Sequence, residues 1–427
     1  MSRLRIRRGA RRRVVIVRQK SLYEPQVQRV AEALVRRGYE VEVLCMREEG
    51  MVRTRVVNGV RITGLPASRR RSSKLRHTLD YAWFFVLASA TLATRHLGRP
   101  YAVVQVYTMP DLLVFAAVIP KLLGARVVAY MNEPMPELFA TLYGSGRLHR
   151  LLVRIEQRVL RFADRVVTVT DDLKERLVER GAAEGKIAVV LNAADPQSTL
   201  SDWTPPRARE TDEFVVITHG TIEDRYGHDT IIGATKLLRS ELPDLRVVFA
   251  GYGSETERLV ELTRAAALED VVRFEGWVSA RRLNDLLHTA DVGIVAQKAS
   301  AYSHLVHTNK MMDFWIFGLP VIASRLRAVS RVYGEDVIEY FEPGNEHDLA
   351  RAIRRLHDDP DRREHLARAG RLAHEQHGWA VQERTFLAVY DALVAPSDGR
   401  GQDVLVDRRG RAHRRRRGRN RGSGQGV

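Results

Sequence analysis

Short β-branched runs alternate with helical periods along almost the whole chain, which is the pattern of parallel α/β units. In the first half, residues 13–17 read as a buried strand. Residues 25–37 read as an amphipathic helix stopped by Gly38, since glycine tolerates the left-handed conformation of a helix C-cap. Further strands are expected at 41–44, 60–62, 102–106, 126–130 and 165–168, with helices over 75–96, 111–123, 148–162 and 171–180. A polar, proline-bearing stretch at 193–212 reads as a linker. Behind it the alternation starts again, with strands at 214–218, 245–250, 271–274, 292–295 and 320–323. Helices are expected between them over 228–240, 254–266, 280–288 and 308–317, and three more close the chain near 347–357, 361–375 and 381–394.

The pattern predicts an N-terminal domain at 13–192, the linker at 193–212, a second domain at 213–380 and a closing helix at 381–396. Basic segments at 1–12 and 397–427 flank them and are expected to lack order. Two consecutive α/β domains whose strand ends face a common cleft place ligands between them. Periodicity alone names no reaction.

Hydrophobic residues make up 44% of the 427 and charged residues 28%, enough apolar material for two sizeable cores. The net charge of +17 invites a nucleic-acid reading, but its distribution opposes one. Residues 1–13 carry seven arginines and no acid, and residues 401–427 carry nine against Asp403 and Asp407. The body between them is close to neutral for its size, so nucleic acid is not expected as a partner. Attraction of the tails to an anionic membrane surface is the alternative to simple solvation. Cys45 is the single cysteine, which excludes an internal disulfide and fits a reducing cytoplasm. The longest apolar stretch, residues 81–94, is short of the ~20 residues that span a bilayer. The expected location is therefore cytoplasmic, at most peripheral at the inner face of a membrane.

Chemistry concentrates between residues 215 and 324. Val-Val-Ile-Thr-His-Gly-Thr (215–221) is a strand running into a loop, and Phe-Ala-Gly-Tyr-Gly (249–253) is another. Gly251 and Gly253 let the chain turn tightly and let a ligand approach the backbone, although a plain strand-to-helix turn uses glycine in the same way. Phe-Glu-Gly-Trp-Val (274–278) follows, with Trp277 open to either a loop or a core position. Lys310 then opens an otherwise apolar helix, a lone cation at its dipole-positive end, and Asp313 shares its face. The pair suits a phosphorylated ligand; a helix-capping ion pair is the bland alternative. In the first half, Asp111 reads as the N-cap of its helix. His219, His228, His304 and His307 have no convergent carboxylates, so neither a metal nor a cofactor is expected.

In order and spacing these segments, together with Asn309–Phe314 and Phe-Gly-Leu-Pro-Val-Ile-Ala-Ser (317–324), resemble family 4 glycosyltransferases. So do Glu24-Pro25, Tyr107–Asp111 and Asn132–Leu138, and the resemblance runs over about residues 13–395. It implies the GT-B fold, two Rossmann-like domains facing a central cleft, and transfer of a sugar from a nucleoside-diphosphate sugar. It implies retention at the anomeric carbon without a metal or a dedicated nucleophile, and a lipid-linked or saccharide acceptor in polysaccharide or glycoconjugate synthesis. Arg225 and Lys310 would then hold the donor diphosphate and Asp313, where the family usually has Glu, its ribose. Thr221, Gly251 and Gly253 would line the donor, and the loop of Trp277 and Val278 would hold the base through backbone groups. Glu133 and Asn132 would stand on the acceptor side, Asn132 in place of the family's His. His304 falls where an acid usually reads the donor sugar, and Tyr226-Gly227 where the family has Lys-Gly. These departures keep an alternative open, a catalytically impaired homologue acting as partner or scaffold. An epimerase on the same fold is a third reading. The cluster Arg69, Arg70, Arg71, Lys74 and Arg76 before Trp83-Phe84-Phe85 reads either as a dock for anionic lipid or as a solvated loop ahead of a core helix.

Overall fold

The structure is a computed structural model and describes residues 12–19, 25–47, 52–67, 74–200, 204, 212–394, 405–406 and 412–413. The first domain runs β1 (Arg13–Val17), α1 (Pro25–Arg36), β2 (Glu40–Met46), β3 (Thr54–Val57), β4 (Val60–Leu65), α2 (Lys74–Gly98) and β5 (Val103–Tyr107). It continues with α3 (Val118–Leu122), β6 (Arg126–Met131), α4 (Met135–Tyr143), α5 (Arg147–Phe162), β7 (Arg165–Thr168), α6 (Asp171–Glu179) and β8 (Ile187–Val189). Its strands form one sheet in the order β3-β4-β2-β1-β5-β6-β7-β8, parallel except where β3 pairs antiparallel with β4. Helices cover both faces, which is why Val14–Val17 and Val103–Tyr107 are buried at every position.

A short helix α7 (Pro196–Leu200) lies within the stretch expected to be linker, and Ala193 and Ala194 before it are buried. The second domain runs β9 (Phe214–His219), α8 (His228–Leu238), β10 (Leu245–Ala250), α9 (Thr256–Ala265), β11 (Val272–Phe274), α10 (Ala280–His288), β12 (Val292–Val295), α11 (Lys310–Ile316) and β13 (Val321–Ser324). It ends with α12 (Arg327–Ser330), β14 (Glu339–Phe341), α13 (Glu346–Asp358), α14 (Pro360–His377) and α15 (Trp379–Val394). Its six strands are all parallel, in the order β11-β10-β9-β12-β13-β14. Two parallel-sheet α/β domains are what the periodicity predicts.

Three local expectations are corrected. The single helix expected over 111–123 is a 3-10 helix, Asp111–Ala117, followed by α3. Pro120 cannot donate to a continuing helix and is tolerated only in a first turn, so the α-helix restarts just ahead of it. Asp111 does not cap: the N-cap is Pro110, and both carboxylate oxygens are buried without a hydrogen-bond partner among the described residues. In the basic tail, Leu405–Val406 pairs antiparallel with Ala412–His413, a strand pair where none was expected; the rest of 397–427, residues 1–11 and the arginines at 69–71 lie outside the described residues.

The chain crosses back at its end. Helix α15 packs on the first domain, where Trp379, Phe386, Val389 and Tyr390 join the core. The Tyr390 hydroxyl donates to Gln105 Oε1 at 2.6 Å, and its ring meets Tyr39 edge-on. The loop 302–307 crosses the other way. Leu305 is buried in the first domain's core, and its carbonyl accepts from Thr170 Oγ1 at 2.6 Å. Arg327 and Arg331 reach Asp172 and Glu175 at 2.6 and 2.7 Å. These contacts close one flank of the cleft.

Candidate active site

The carboxyl end of β9 delivers His219, Gly220 and Thr221 to the cleft, and the next turn delivers Arg225 and Tyr226. Lys298 holds that turn in shape, donating to Asp224 at 2.7 Å and Asp229 at 2.8 Å while its backbone N–H bonds Arg225 O at 2.9 Å. Gly227 has φ +62°, and a side chain there would collide with the Ala296 carbonyl, so the turn needs glycine twice over.

Lys310 comes from the first residue of α11 and lies across the Tyr226 ring, 4.1 Å from its centroid. Its Cε would stand 3.1 Å from a Cβ at Gly220. Arg225 lies over the same ring at 4.9 Å and over Tyr302 at 5.9 Å, and it pairs with Glu223. Burial, aided by the Arg225 charge, brings the Lys310 ammonium down to about 8. Asp313 lies one turn on. Burial raises its carboxyl to about 7, opposed by Arg29 and Lys310, and its nearest basic nitrogen is His219 Nε2 at 3.7 Å. Lys310 and Asp313 therefore do not form the helix-capping ion pair that the sequence left open. His219 and His228 are driven down to about 3 by burial and the Lys310 charge, so both rings are neutral.

The two glycines after β10 answer to backbone. A Cβ on Gly251 would strike the Gly220 carbonyl and one on Gly253 the Ile222 carbonyl. The two loops are stitched together by Gly220 N to Ala250 O at 2.9 Å and Ile222 N to Tyr252 O at 3.3 Å. Thr221 is exposed at the lip beside Gly220. Trp277 is 83% exposed, which removes the core-aromatic reading, while Val278 packs against the second domain's core.

Across the cleft, Asn132 and Glu133 follow β6. Glu133 accepts a hydrogen bond from the Tyr302 hydroxyl, so a carboxylate of one domain is tied to a loop of the other. Asn132 is buried, and its Oδ1 has no hydrogen-bond partner among the described residues. His304 is turned from the centre, its Nδ1 accepting from the backbone N–H of Arg327 at 3.2 Å. The aromatic that faces Arg225 and Glu133 is Tyr302, two residues earlier. The structure thus brings together Arg225, Lys310, Asp313 and Thr221 at one rim and Glu133 and Asn132 at the other. Sequence reasoning passed over Tyr302, Lys298 and Arg29, and took Tyr226 only as a departure from a motif. An aromatic in the loop after β12 was the available signal for Tyr302.

Two domain families match this architecture. Residues 23–193 match the Glycosyl transferase 4-like domain and residues 202–373 the Glycosyl transferases group 1 domain. The chain belongs to the GT4-like glycosyltransferases. This GT4-like chain is 32% identical over 212 residues to the lipopolysaccharide core biosynthesis glycosyltransferase LpsD of Rhizobium meliloti, a match covering 48% of this chain and 57% of that protein. Among solved structures it resembles sucrose-phosphate synthase from Thermosynechococcus elongatus, with a TM-score of 0.72, 17% identity, and coverage of 90% and 100% of the two chains. It also resembles Anabaena HepE in complex with UDP-glucose, with a TM-score of 0.68, 13% identity, and coverage of 89% and 99%. At these identities the structural likeness establishes the fold, GT-B. The expected family and fold hold, and no helix among the described residues is long and apolar enough to cross a membrane.

Proposed function

We propose that the chain transfers a sugar from a nucleoside-diphosphate sugar to a saccharide or lipid-linked acceptor, with retention and without a metal. The observation that carries this is the Lys310–Tyr226–Arg225 stack. Two cations, 4.1 and 4.9 Å from the centroid of one ring, gather at the mouth of a parallel sheet, with Glu223 the only carboxylate paired to them among the described residues. Like charges gathered at one ring favour an anion beside them, and a diphosphate has the charge to answer both. As the anomeric C–O bond breaks, negative charge grows on the diphosphate, and the two cations stabilise it there. The acceptor oxygen forms the new bond and its proton leaves with the diphosphate. Charge on the leaving group is thereby met by side chains, which supports the metal-independent reading. Retention rests on the family resemblance. Asp313 would take the ribose hydroxyls, and Glu133, oriented by Tyr302, would stand with Asn132 beside the acceptor.

The named role of LpsD in lipopolysaccharide core biosynthesis favours a glycoconjugate acceptor. A lipid-linked acceptor requires access to a membrane surface. On α2, Leu79, Trp83 and Val86 are exposed at spacings of four and three, while Phe84 is buried. Leu122 of the adjoining α3 and Leu123 just after it are exposed as well. We assign this face to shallow contact with a bilayer.

Calorimetric titration with a panel of nucleoside diphosphates tests the donor half. At least one should bind, and Lys310→Ala should weaken it about ten- to a hundredfold, the value of a charge-assisted hydrogen bond. Equal binding by the variant would remove Lys310 from the site.

A further inference from the structure

Two arginines of the first domain are buried to similar depth in very different company. Arg180 meets two buried carboxylates, Glu137 and Glu156, the second at 2.7 Å. That charge is balanced inside the fold, and its role is structural. Arg29, on α1, is 7% exposed, and its Nε has no hydrogen-bond partner among the described residues. Its neighbours are the Trp379 ring at 5.8 Å and, at longer range, Tyr130, Asp313, Asp195 and Tyr107. Burial outweighs all of them and holds the guanidinium below its ordinary proton affinity.

The position of these neighbours locates Arg29 in the cleft. Tyr107 closes β5, Tyr130 stands one residue from the end of β6, and Asp313 faces them from α11 of the other domain. Arg18, 4.7 Å from the Tyr107 ring centroid, adds a second positive charge there. Gln19 Oε1 and Asn132 Oδ1, just past the carboxyl ends of β1 and β6, are buried and unpartnered among the described residues. A buried guanidinium whose carboxylates among the described residues, Asp313 and Asp195, act only at longer range is costly to keep, and so are unpaired buried amides. Together they describe a pocket whose chemistry suits an anion and hydroxyl donors.

We propose that Arg29 is the first domain's ligand for a phosphate oxyanion, held across the cleft from Lys310 and Arg225. The phosphate is supplied either by the donor diphosphate or by a phosphorylated acceptor. The inference rests on the transferase reading only for the identity of the phosphate's owner.

The test uses the full chain as wild type, Arg29→Gln and Arg29→Lys, with thermal unfolding and calorimetry. A ligand arginine leaves Arg29→Gln as stable as wild type, or more so, in the absence of ligand, because a buried charge with no ion pair among the described residues has gone. A fall in Tm, or failure to fold, would make Arg29 a structural contact and overturn the proposal. Inorganic phosphate should raise the Tm of wild type and Arg29→Lys and leave Arg29→Gln unmoved; equal rises in all three would also overturn it. If the phosphate is the donor's, Arg29→Gln weakens nucleoside-diphosphate binding about tenfold or more, and phosphate adds no stability once the diphosphate is bound. If it is the acceptor's, diphosphate affinity is unchanged and phosphate still stabilises the diphosphate-saturated wild type. Lys310→Ala separates the two readings. If it binds diphosphate as well as wild type while phosphate still acts through Arg29, the donor assignment falls and the oxyanion pocket stands.

Discussion

Lys310 and Asp313 lie one turn apart on α11, and burial moves their proton affinities toward each other, to about 8 and about 7. In the proposed reading the donor needs the ammonium on one and the carboxylate on the other. Affinity for a nucleoside diphosphate should then rise as pH climbs through about 7, where Asp313 ionises, and fall as it passes about 8, where Lys310 is discharged. Each limb should approach about tenfold per pH unit, the limit for one proton. Lys310→Arg, which stays charged, is expected to keep the acidic limb and lose the alkaline one. Calorimetry between pH 6 and 9.5 reads both limbs, and an alkaline limb that persists in Lys310→Arg would assign it to another group. The residue scale is also where the sequence was least legible. The Tyr302–Glu133 bond joins positions 169 residues apart, and no local pattern carries such a contact. Arg29 left little trace: on α1 it falls with Ala33 on the face opposite the apolar stripe of Val27, Val30, Ala31 and Leu34, where a cation reads as solvent-facing.

Helix α2 shows how an element divides its residues between two environments. Phe84, Ala88 and Leu92 enter the core at spacings of four, while Leu79, Trp83 and Val86 stay outside. Replacing Trp83 and Val86 together by Ser should cut co-flotation with phosphatidylglycerol-containing vesicles several-fold and leave nucleoside-diphosphate affinity unchanged. Equal flotation of variant and wild type would discard the membrane assignment for this face. Elements of this kind were the readable part of the chain. The runs at 13–17, 245–250 and 292–295 are buried on both faces and consist almost wholly of apolar side chains, so a short window identifies them. Strands β3, β8 and β14 went unseen: β3 is largely exposed, β8 is fully buried at only one of its three positions, and β14 opens on a charged residue. For the site, the order of motifs grouped Arg225, Lys310 and Asp313, and the structure also brings them together on one rim. It left glycines 251 and 253 open between ligand approach and a plain turn, and the neighbouring backbone by itself requires both.

At the scale of the whole molecule, domain order along the chain and domain order in space differ. Helix α15 follows the second domain but buries Trp379, Phe386, Val389 and Tyr390 in the first. Each of these side chains contributes roughly 1.5–3 kcal/mol by burial, and a domain's entire stability is about 5–15 kcal/mol. A chain ending at Gly378 should therefore lose its first domain and keep its second. Hydrogen exchange followed by mass spectrometry is expected to show β1 and β5 unprotected while β9 and β10 stay protected. Equal protection of both sheets would show that α15 is dispensable.

The return of α15 also sets an order of events during synthesis. On a ribosome the second domain has every strand it needs while the first is still waiting for Trp379–Val394. The half of the protein made first is finished last, and for that interval the seat of Tyr390 at Tyr39 and Gln105 is open to whatever attends the nascent chain.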